Sequence, residues 1–125
     1  MIALLVVAIF IFYTEMMPSK INAVDLAAAY SINPTEADEK YLLKEIELTG
    51  TVKAYYKILD IRNVLELNNN KNDIDIYCFF LQESDEYIAS QLQEGDTITV
   101  IGTVAGMEKY NFVDGLKIDV KKFKE

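Results

Sequence analysis

Aromatic and basic residues alternate along two predicted strands and in the loop beside them, and such a group can bind a ligand. Residues that alternate along a strand share one face of its sheet. On such a face, aromatic rings stack on bases or sugars while nearby cations contact phosphate groups. The predicted ligand-binding residues are Thr51, Lys53, Tyr55, Lys57, Arg62, Tyr77 and Phe79. The alternative is that Tyr77 and Phe79 pack beneath N-terminal helices while the cations are solvated at the rim.

The charge of the 125-residue chain bears on which ligand this face takes. Its 12 basic and 20 acidic residues give a formal charge of −8. Affinity for nucleic acids comes mainly from Lys and Arg side chains that neutralise phosphates, so an acidic chain is poorly suited to it. We therefore expect a protein, a peptide or a small ligand on this face, with single-stranded DNA or RNA as the alternative.

The composition argues against catalysis and metal binding. The chain has no His and a single Cys, Cys78. Without His, imidazole metal sites are excluded and no side chain has an unperturbed pKa near neutral pH. The sequence has no Ser/His/Asp or Cys/His arrangement and no glycine-rich phosphate loop. We predict a protein that is not an enzyme and has no catalytic residues, no metal and no cofactor.

Three other polar groups have ordinary structural explanations. The polar run of residues 68–73 is predicted to form a hairpin loop. Residues 68–75 carry oxygen ligands at alternate positions but lack the Gly and Glu of an EF-hand loop, so a solvated turn is expected there and not a metal site. The three carboxylates within residues 83–86 fit the negative charge favoured at a helix N-terminus. The lysines at the C-terminus are Lys121, Lys122 and Lys124. They are fewer than the roughly four to eight expected of a lipid-binding cluster.

A repeated pattern organises the predicted strands. Residues 46–52 and 98–104 both read apolar, x, apolar, x, Gly, Thr, Val, and this alternation is typical of half-buried strands. The glycines, Gly50 and Gly102, predict a bulge, a bend or a close backbone approach. The five predicted strands cover residues 43–55, 63–67, 74–81, 97–105 and 111–123.

A short helix is predicted between the third and fourth strands. Ser84 is its predicted cap, Gly95 ends it, and Ile88, Ala89 and Leu92 form its apolar stripe. Five strands with such a helix predict a mainly β protein with an OB-fold, a five-stranded Greek-key barrel. The two glycine-containing strands are then expected to lie side by side.

The N-terminal part of the chain precedes the predicted barrel. Residues 2–12 are almost purely apolar, which is shorter than the roughly 20 residues of a spanning helix but long enough for a secretory segment. We predict that residues 1–18 are a membrane anchor or signal segment, with a buried core helix as the alternative. Residues 19–41 are predicted to form two short helices, the second capped by Asn33, and residues 42–125 the barrel domain.

A longer series of residues links the helical extension to the barrel. It consists of Leu26, Tyr30, Asn33, Ala37, Tyr41, Lys44, Ile46, Leu48, Gly50, Val52, Cys78, Phe80, Leu92, Gly95, Asp96, Ile98, Val100 and Gly102. Over residues 25–120 this series resembles the bacterial tRNA_anti-like family. The resemblance implies an OB-fold domain without an established common function, in proteins that are often exported or membrane-anchored in the cell envelope. The family's last strand often carries a second cysteine, which is absent from residues 117–120 here.

Overall fold

The computed structural model describes residues 18–58, 62–109 and 114–124. The strands in this part of the chain are β1 (Ser19–Asn22), β2 (Glu45–Ile58), β3 (Arg62–Leu67), β4 (Ile76–Phe80), β5 (Thr97–Lys109) and β6 (Asp114–Phe123). The helices are α1 (Ala23–Ile32), α2 (Pro34–Tyr41) and α3 (Glu83–Ser90). None of the helices in these ranges is long and apolar enough to cross a membrane.

Strands β2 to β6 close into a barrel. Strand β2 pairs antiparallel with both β3 and β5, β3 pairs antiparallel with β4, and β6 pairs parallel with β4 and antiparallel with β5. The inward side chains of the five strands form one buried core, which includes Cys78. The OB-fold predicted from the sequence is confirmed.

The two glycine-containing segments are neighbours, as predicted. Gly50 lies opposite Ile98, and Ile46 lies opposite Gly102. A Cβ atom added at Gly102 would lie 2.7 Å from the carbonyl oxygen of Asp119, beside a register shift between β5 and β6. A Cβ atom added at Gly50 would lie 2.9 Å from the Ala23 Cβ atom of α1. Both glycines therefore permit a close approach, one to a strand and the other to a helix.

The chain enters the fold through a strand that the sequence did not predict. Residues 19–22 were expected to be helical, but β1 pairs parallel with residues 46–49 of β2. Strand β3 pairs with β2 only from Val52 onwards, so the edge of β2 before that point is open to β1. Backbone hydrogen bonds to the free edge of β2 thus make residues 19–22 a strand, although the apolar spacing of the segment predicts a helix.

Helices α1 and α2 pack into the barrel core. Asn33 caps α2 as predicted, since its side-chain oxygen accepts a hydrogen bond from the Glu36 backbone N–H at 3.1 Å. The buried Tyr30 of α1 donates a hydrogen bond to Asp38 of α2 at 2.8 Å. The core residues supplied by the helices are Ala23, Leu26, Ala27, Tyr30, Ala37 and Tyr41.

Both ends of helix α3 differ from the predicted ends. It begins at Glu83, without a side-chain cap from Ser84, and it ends at Ser90, well before Gly95. Gly95 has a φ of +94° and donates its backbone N–H to the Val52 carbonyl, so it shapes the turn into β5. Ala89 is buried as predicted, but Ile88 is 45% exposed.

Candidate ligand-binding face

A β-bulge in β2 decides which of its aromatic residues lie on the outer surface of the barrel. The register with β3 shifts between Val52 and Ala54, because Val52 lies opposite Leu67 while Ala54 already lies opposite Glu66. One extra residue reverses the alternation of side chains that follow it. Tyr55 therefore packs against the barrel core, and Tyr56 lies on the outer surface, 44% exposed. The predicted outward orientation of Tyr55 is wrong for this reason.

A nearly buried carboxylate lies at the centre of the outer surface. Glu66 is only 3% exposed, although its side chain is on the outside of the barrel. It accepts a hydrogen bond from the Tyr56 hydroxyl at 2.7 Å and forms an ion pair with the Lys53 ammonium at 3.1 Å. The hydrogen bond to Glu66 raises the pKa of Tyr56, with burial adding to it, and Glu66 likewise raises the pKa of Lys53. We call the surface of Lys53, Tyr56, Glu66, Tyr77 and Lys117 the Glu66 face.

The predicted aromatic pair of β4 is more buried than a stacking platform requires. Phe79 is 7% exposed and forms a small cluster with Val64, against which Tyr77 packs. The Lys117 ammonium lies 5.0 Å from the centre of the Phe79 ring. Burial, followed by the charges of Glu66 and Asp75, raises the pKa of Tyr77. Burial of Phe79 agrees with the alternative prediction, but the helices α1 and α2 contribute their buried side chains to the main core instead.

The cations of this region are largely neutralised. Lys53 is paired with Glu66, and Lys117 lies 3.6 Å from the Asp119 carboxylate. Lys57 is exposed, but it is two residues beyond Tyr55 and therefore falls outside the Glu66 face. The Arg62 side chain lies outside the described part of the structure. The structure thus does not bring Lys53 and Lys57 together on one positive surface.

Thr51 has a role in the barrel that the sequence did not indicate. It is half-buried and lies opposite Thr97 of β5, ahead of the bulge. Its carbonyl oxygen accepts the Asn68 backbone N–H at 2.9 Å, which connects the loop after β3 to β2. These contacts are made by the backbone of Thr51.

Three members of the Glu66 face were missed by sequence reasoning. Glu66 lies between two inward leucines, so the alternation of β3 already places it outward. Simple alternation along β2 places Tyr56 inward, and the position of the bulge that turns it outward cannot be found from an alternation pattern. Lys117 reaches the face because β6 pairs parallel with β4, where Tyr77 lies opposite Lys117. A parallel pairing between distant segments gives no local sequence signal.

The loop of residues 68–75 is held by a side-chain amide. Asn69 is 5% exposed, and its Nδ2 atom donates to the carbonyls of Asn72 and Ile74 at 2.8 Å each. Its Oδ1 atom accepts the Lys71 backbone N–H at 3.2 Å. The predicted hairpin loop between β3 and β4 is thereby confirmed. Among residues 18–58, 62–109 and 114–124, no group of three or more His, Cys, Asp or Glu side chains is arranged to hold a metal ion.

Sequence comparison assigns the chain to a family. A family model named tRNA_anti-like matches residues 4–114. The chain belongs to the tRNA_anti-like family. A comparison of this tRNA_anti-like protein with curated proteins gave no significant match.

Solved structures resemble the tRNA_anti-like protein in fold. A Klebsiella pneumoniae protein with the provisional name of nucleic acid-binding lipoprotein has a TM-score of 0.61 and 18% identity, over 84% of this chain and 92% of that one. A provisionally named aspartyl-tRNA synthetase from Leishmania major has a TM-score of 0.55 and 14% identity, over 86% and 20% of the two chains. An OBody bound to hen egg-white lysozyme has a TM-score of 0.52 and 11% identity, over 67% of this chain and 82% of that one. At such identities these likenesses show the OB-fold alone.

Proposed function

We propose that this protein is a non-enzymatic binding module and that the Glu66 face binds a positively charged segment of a protein or peptide. The observation that carries the proposal is the environment of Glu66, a carboxylate that is 3% exposed between Tyr56 and Lys53. An incoming Arg or Lys side chain replaces or extends the pairing that Lys53 now provides. The hydroxyl and ring of Tyr56 offer such a cation a hydrogen-bond acceptor and an aromatic surface.

The charges around Glu66 support a cationic ligand. Asp75 acts on Tyr77, Tyr56 and Lys53 together with Glu66, and in each case it raises the pKa of the group. The two described lysines of the face are each within 4 Å of a carboxylate oxygen. A phosphate group would meet these carboxylates, whereas a guanidinium or ammonium group would be attracted to them.

Single-stranded nucleic acid is the second candidate ligand. The structurally similar Klebsiella pneumoniae protein carries the provisional name of a nucleic acid-binding lipoprotein. The exposed ring of Tyr56 also offers a surface on which a base can stack. The pairing of Lys53 and Lys117 with carboxylates weighs against this candidate.

Binding measurements separate the two candidates. The full chain, kept in solution by a non-ionic detergent, is titrated with three fluorescent ligands: an arginine-rich peptide, an acidic peptide of equal length and a single-stranded oligonucleotide. We expect the arginine-rich peptide to bind, and Glu66→Gln to weaken it about tenfold, because the variant removes one charge-assisted contact of about 1.4 kcal/mol. Glu83→Gln, which removes the same charge from the exposed first turn of α3, is the matched control.

Two results would overturn the leading proposal. One is equal binding of the basic and acidic peptides, and the other is an equal loss of affinity in the Glu66 and Glu83 variants. Oligonucleotide binding that declines steeply with salt and is lost in Tyr56→Ala would establish the second candidate instead.

We further propose that the module works at the bacterial cell envelope. The apolar composition of residues 2–12 supports a membrane anchor or export segment. The provisional name of the Klebsiella pneumoniae protein as a lipoprotein is in keeping with this location. Recovery of the natural full-length protein in the membrane fraction after a carbonate wash, or outside the cytoplasm in cleaved form, would support it; recovery in the cytosol would not.

A further inference from the structure

The two ends of the described chain meet at one edge of the barrel. Strand β1 begins at Ser19, and its Lys20 lies opposite Glu47 of β2. Glu47 in turn lies opposite Ile101 of β5, and Ile101 lies opposite Lys122 of β6. One row across four strands therefore contains a lysine from each end of the chain.

A direct contact also joins the two ends. The Lys124 ammonium lies 2.6 Å from an oxygen of the Glu47 carboxylate. The backbone N–H of Lys124 donates to the Thr99 carbonyl at 2.9 Å, which holds the C-terminal lysines against β5. The Lys124 ammonium is thus held on β2, the strand that pairs with β1.

The resulting edge carries exposed positive charge on an acidic protein. Its four lysines, which we call the lysine edge, are all exposed and are Lys20, Lys121, Lys122 and Lys124. Glu45 and Glu47 are the carboxylates of β2 beside it. Lys124 is paired with Glu47, and the four lysines and two carboxylates together give the edge a formal charge of +2. The whole chain has a formal charge of −8, so the edge is opposite in sign to the protein as a whole.

The geometry points to the lysine edge as a surface that binds anionic membrane lipids. The apolar run of residues 2–12 ends only eight residues before Lys20, a distance of at most about 28 Å for an extended chain. If the run enters a bilayer, the edge that contains β1 is the part of the barrel closest to the headgroups. The C-terminal tail alone has three lysines, of which Lys124 is paired with Glu47, and folding adds Lys20 as the fourth. By number the edge reaches the lower end of the roughly four to eight basic residues typical of an anionic-lipid cluster.

Two exposed lysines far from the edge provide an internal control. Lys57 is ten residues along β2 from Glu47, or about 30 Å for an extended strand, and Lys71 lies in the loop between β3 and β4. Both are exposed, as are the lysines of the edge. Because electrostatic attraction to a charged bilayer decays over about 10 Å at moderate salt, the lysine edge should respond to lipid charge whereas Lys57 and Lys71 should not.

The proposal is tested by measuring how fast each lysine reacts with an amine-specific reagent. The full chain is reconstituted into neutral phosphatidylcholine vesicles or into vesicles that also contain anionic phosphatidylglycerol, and modification is read by peptide mass spectrometry. We expect Lys20, Lys121, Lys122 and Lys124 to react several-fold more slowly on anionic vesicles than on neutral ones. Lys57 and Lys71 should react at the same rate on both, and high salt should remove the difference.

Paired variants show whether the edge acts as a unit. Lys121→Gln with Lys122→Gln should relieve most of the protection of Lys20, while Lys57→Gln with Lys71→Gln, which changes the net charge equally, should leave it intact. The proposal is overturned if the lysine edge reacts equally on both kinds of vesicle, if all lysines are slowed alike, or if the chain associates with neither. Protection of the same lysines by a single-stranded oligonucleotide, with no effect of anionic lipid, would also overturn it and would assign the edge to nucleic acid.

Discussion

The Tyr56 hydroxyl donates a hydrogen bond to Glu66 at 2.7 Å on the outside of the barrel, whereas Tyr55, the residue before it, packs against the core. The bulge between Val52 and Ala54 produces this division. It places an aromatic hydroxyl beside a nearly buried carboxylate and so creates the polar centre of the Glu66 face. Two adjacent tyrosines thereby acquire different roles, one in stability and one on the proposed binding surface.

The bulge predicts unequal effects for alanine substitutions at the two tyrosines. Tyr55→Ala removes a ring that packs against the core and should lower the free energy of unfolding by about 2 kcal/mol. Tyr56→Ala removes a ring that is 44% exposed and one hydrogen bond, and should lower the free energy of unfolding by about 1 kcal/mol. Urea unfolding followed by circular dichroism measures both. Equal losses, or a larger loss for Tyr56, would mean that the alternation of β2 is not reversed at the bulge.

The two glycines of the paired strands should differ in their tolerance of a methyl group. At Gly102 the added Cβ atom would meet the Asp119 carbonyl oxygen at 2.7 Å, and this backbone is fixed by the pairing of β5 with β6. At Gly50 it would meet side-chain atoms of Ala23 and Leu67 at 2.9 and 3.2 Å. We expect Gly102→Ala to cost about 3 kcal/mol and Gly50→Ala about 2 kcal/mol, since the contact at Gly50 is relieved by a small shift of α1, whereas the contact at Gly102 involves a strand paired on both sides. Thermal unfolding of the two variants compares them, and the reverse order would contradict the close approach of β6.

The cap of α2 should contribute measurable stability. Asn33→Ala removes the oxygen that accepts the Glu36 backbone N–H, and we expect a loss of about 1 kcal/mol in the free energy of unfolding. Asn33→Ser keeps a capping oxygen, so its free energy of unfolding should be close to that of the natural protein. If both variants lose the same amount of stability in urea unfolding, the side-chain cap is not the source of the effect.

The protein should lose stability in alkaline solution. Burial raises the pKa of Tyr30 and of Tyr77, and it raises the pKa of the Cys78 thiol to about 12. Folding favours the protonated form of each group. Their contribution to the free energy of unfolding is therefore complete below the ordinary pKa, which is 9.0 for Cys and 10.0 for Tyr. It is lost as the pH rises through the pKa values of the folded state. Urea midpoints should therefore be constant near pH 8 and fall above about pH 10.

A variant identifies the groups responsible for the alkaline loss. Tyr77→Phe removes one of the tyrosines with a raised pKa and should make the decline with pH shallower, whereas Tyr87→Phe, at a side chain that is 69% exposed, should leave the slope unchanged. A decline that is the same in the natural protein and in Tyr77→Phe would show that this tyrosine does not titrate with unfolding.

Some of this architecture follows from local sequence alone. The alternation of residues 46–52 and 98–104 identified two strands and their inward faces, because side chains repeat every two residues along any strand. Asn33, followed by Pro34, identified the start of α2, because a cap depends only on residues within one turn. These predictions needed no knowledge of distant partners, and the structure confirms them.

Tertiary structure alone decided which residues form the surfaces. The bulge that places Tyr56 and not Tyr55 on the outer surface arises from the register of β2 with β3. Residues 19–22 form a strand because they pair with the open edge of β2. The pairing of β5 with both β2 and β6 brings Lys124 to Glu47, although 77 positions separate them in sequence. Local patterns determine how each segment folds, but pairing between distant segments determines which side chains share a surface, because register is set by partners that the local sequence does not contain.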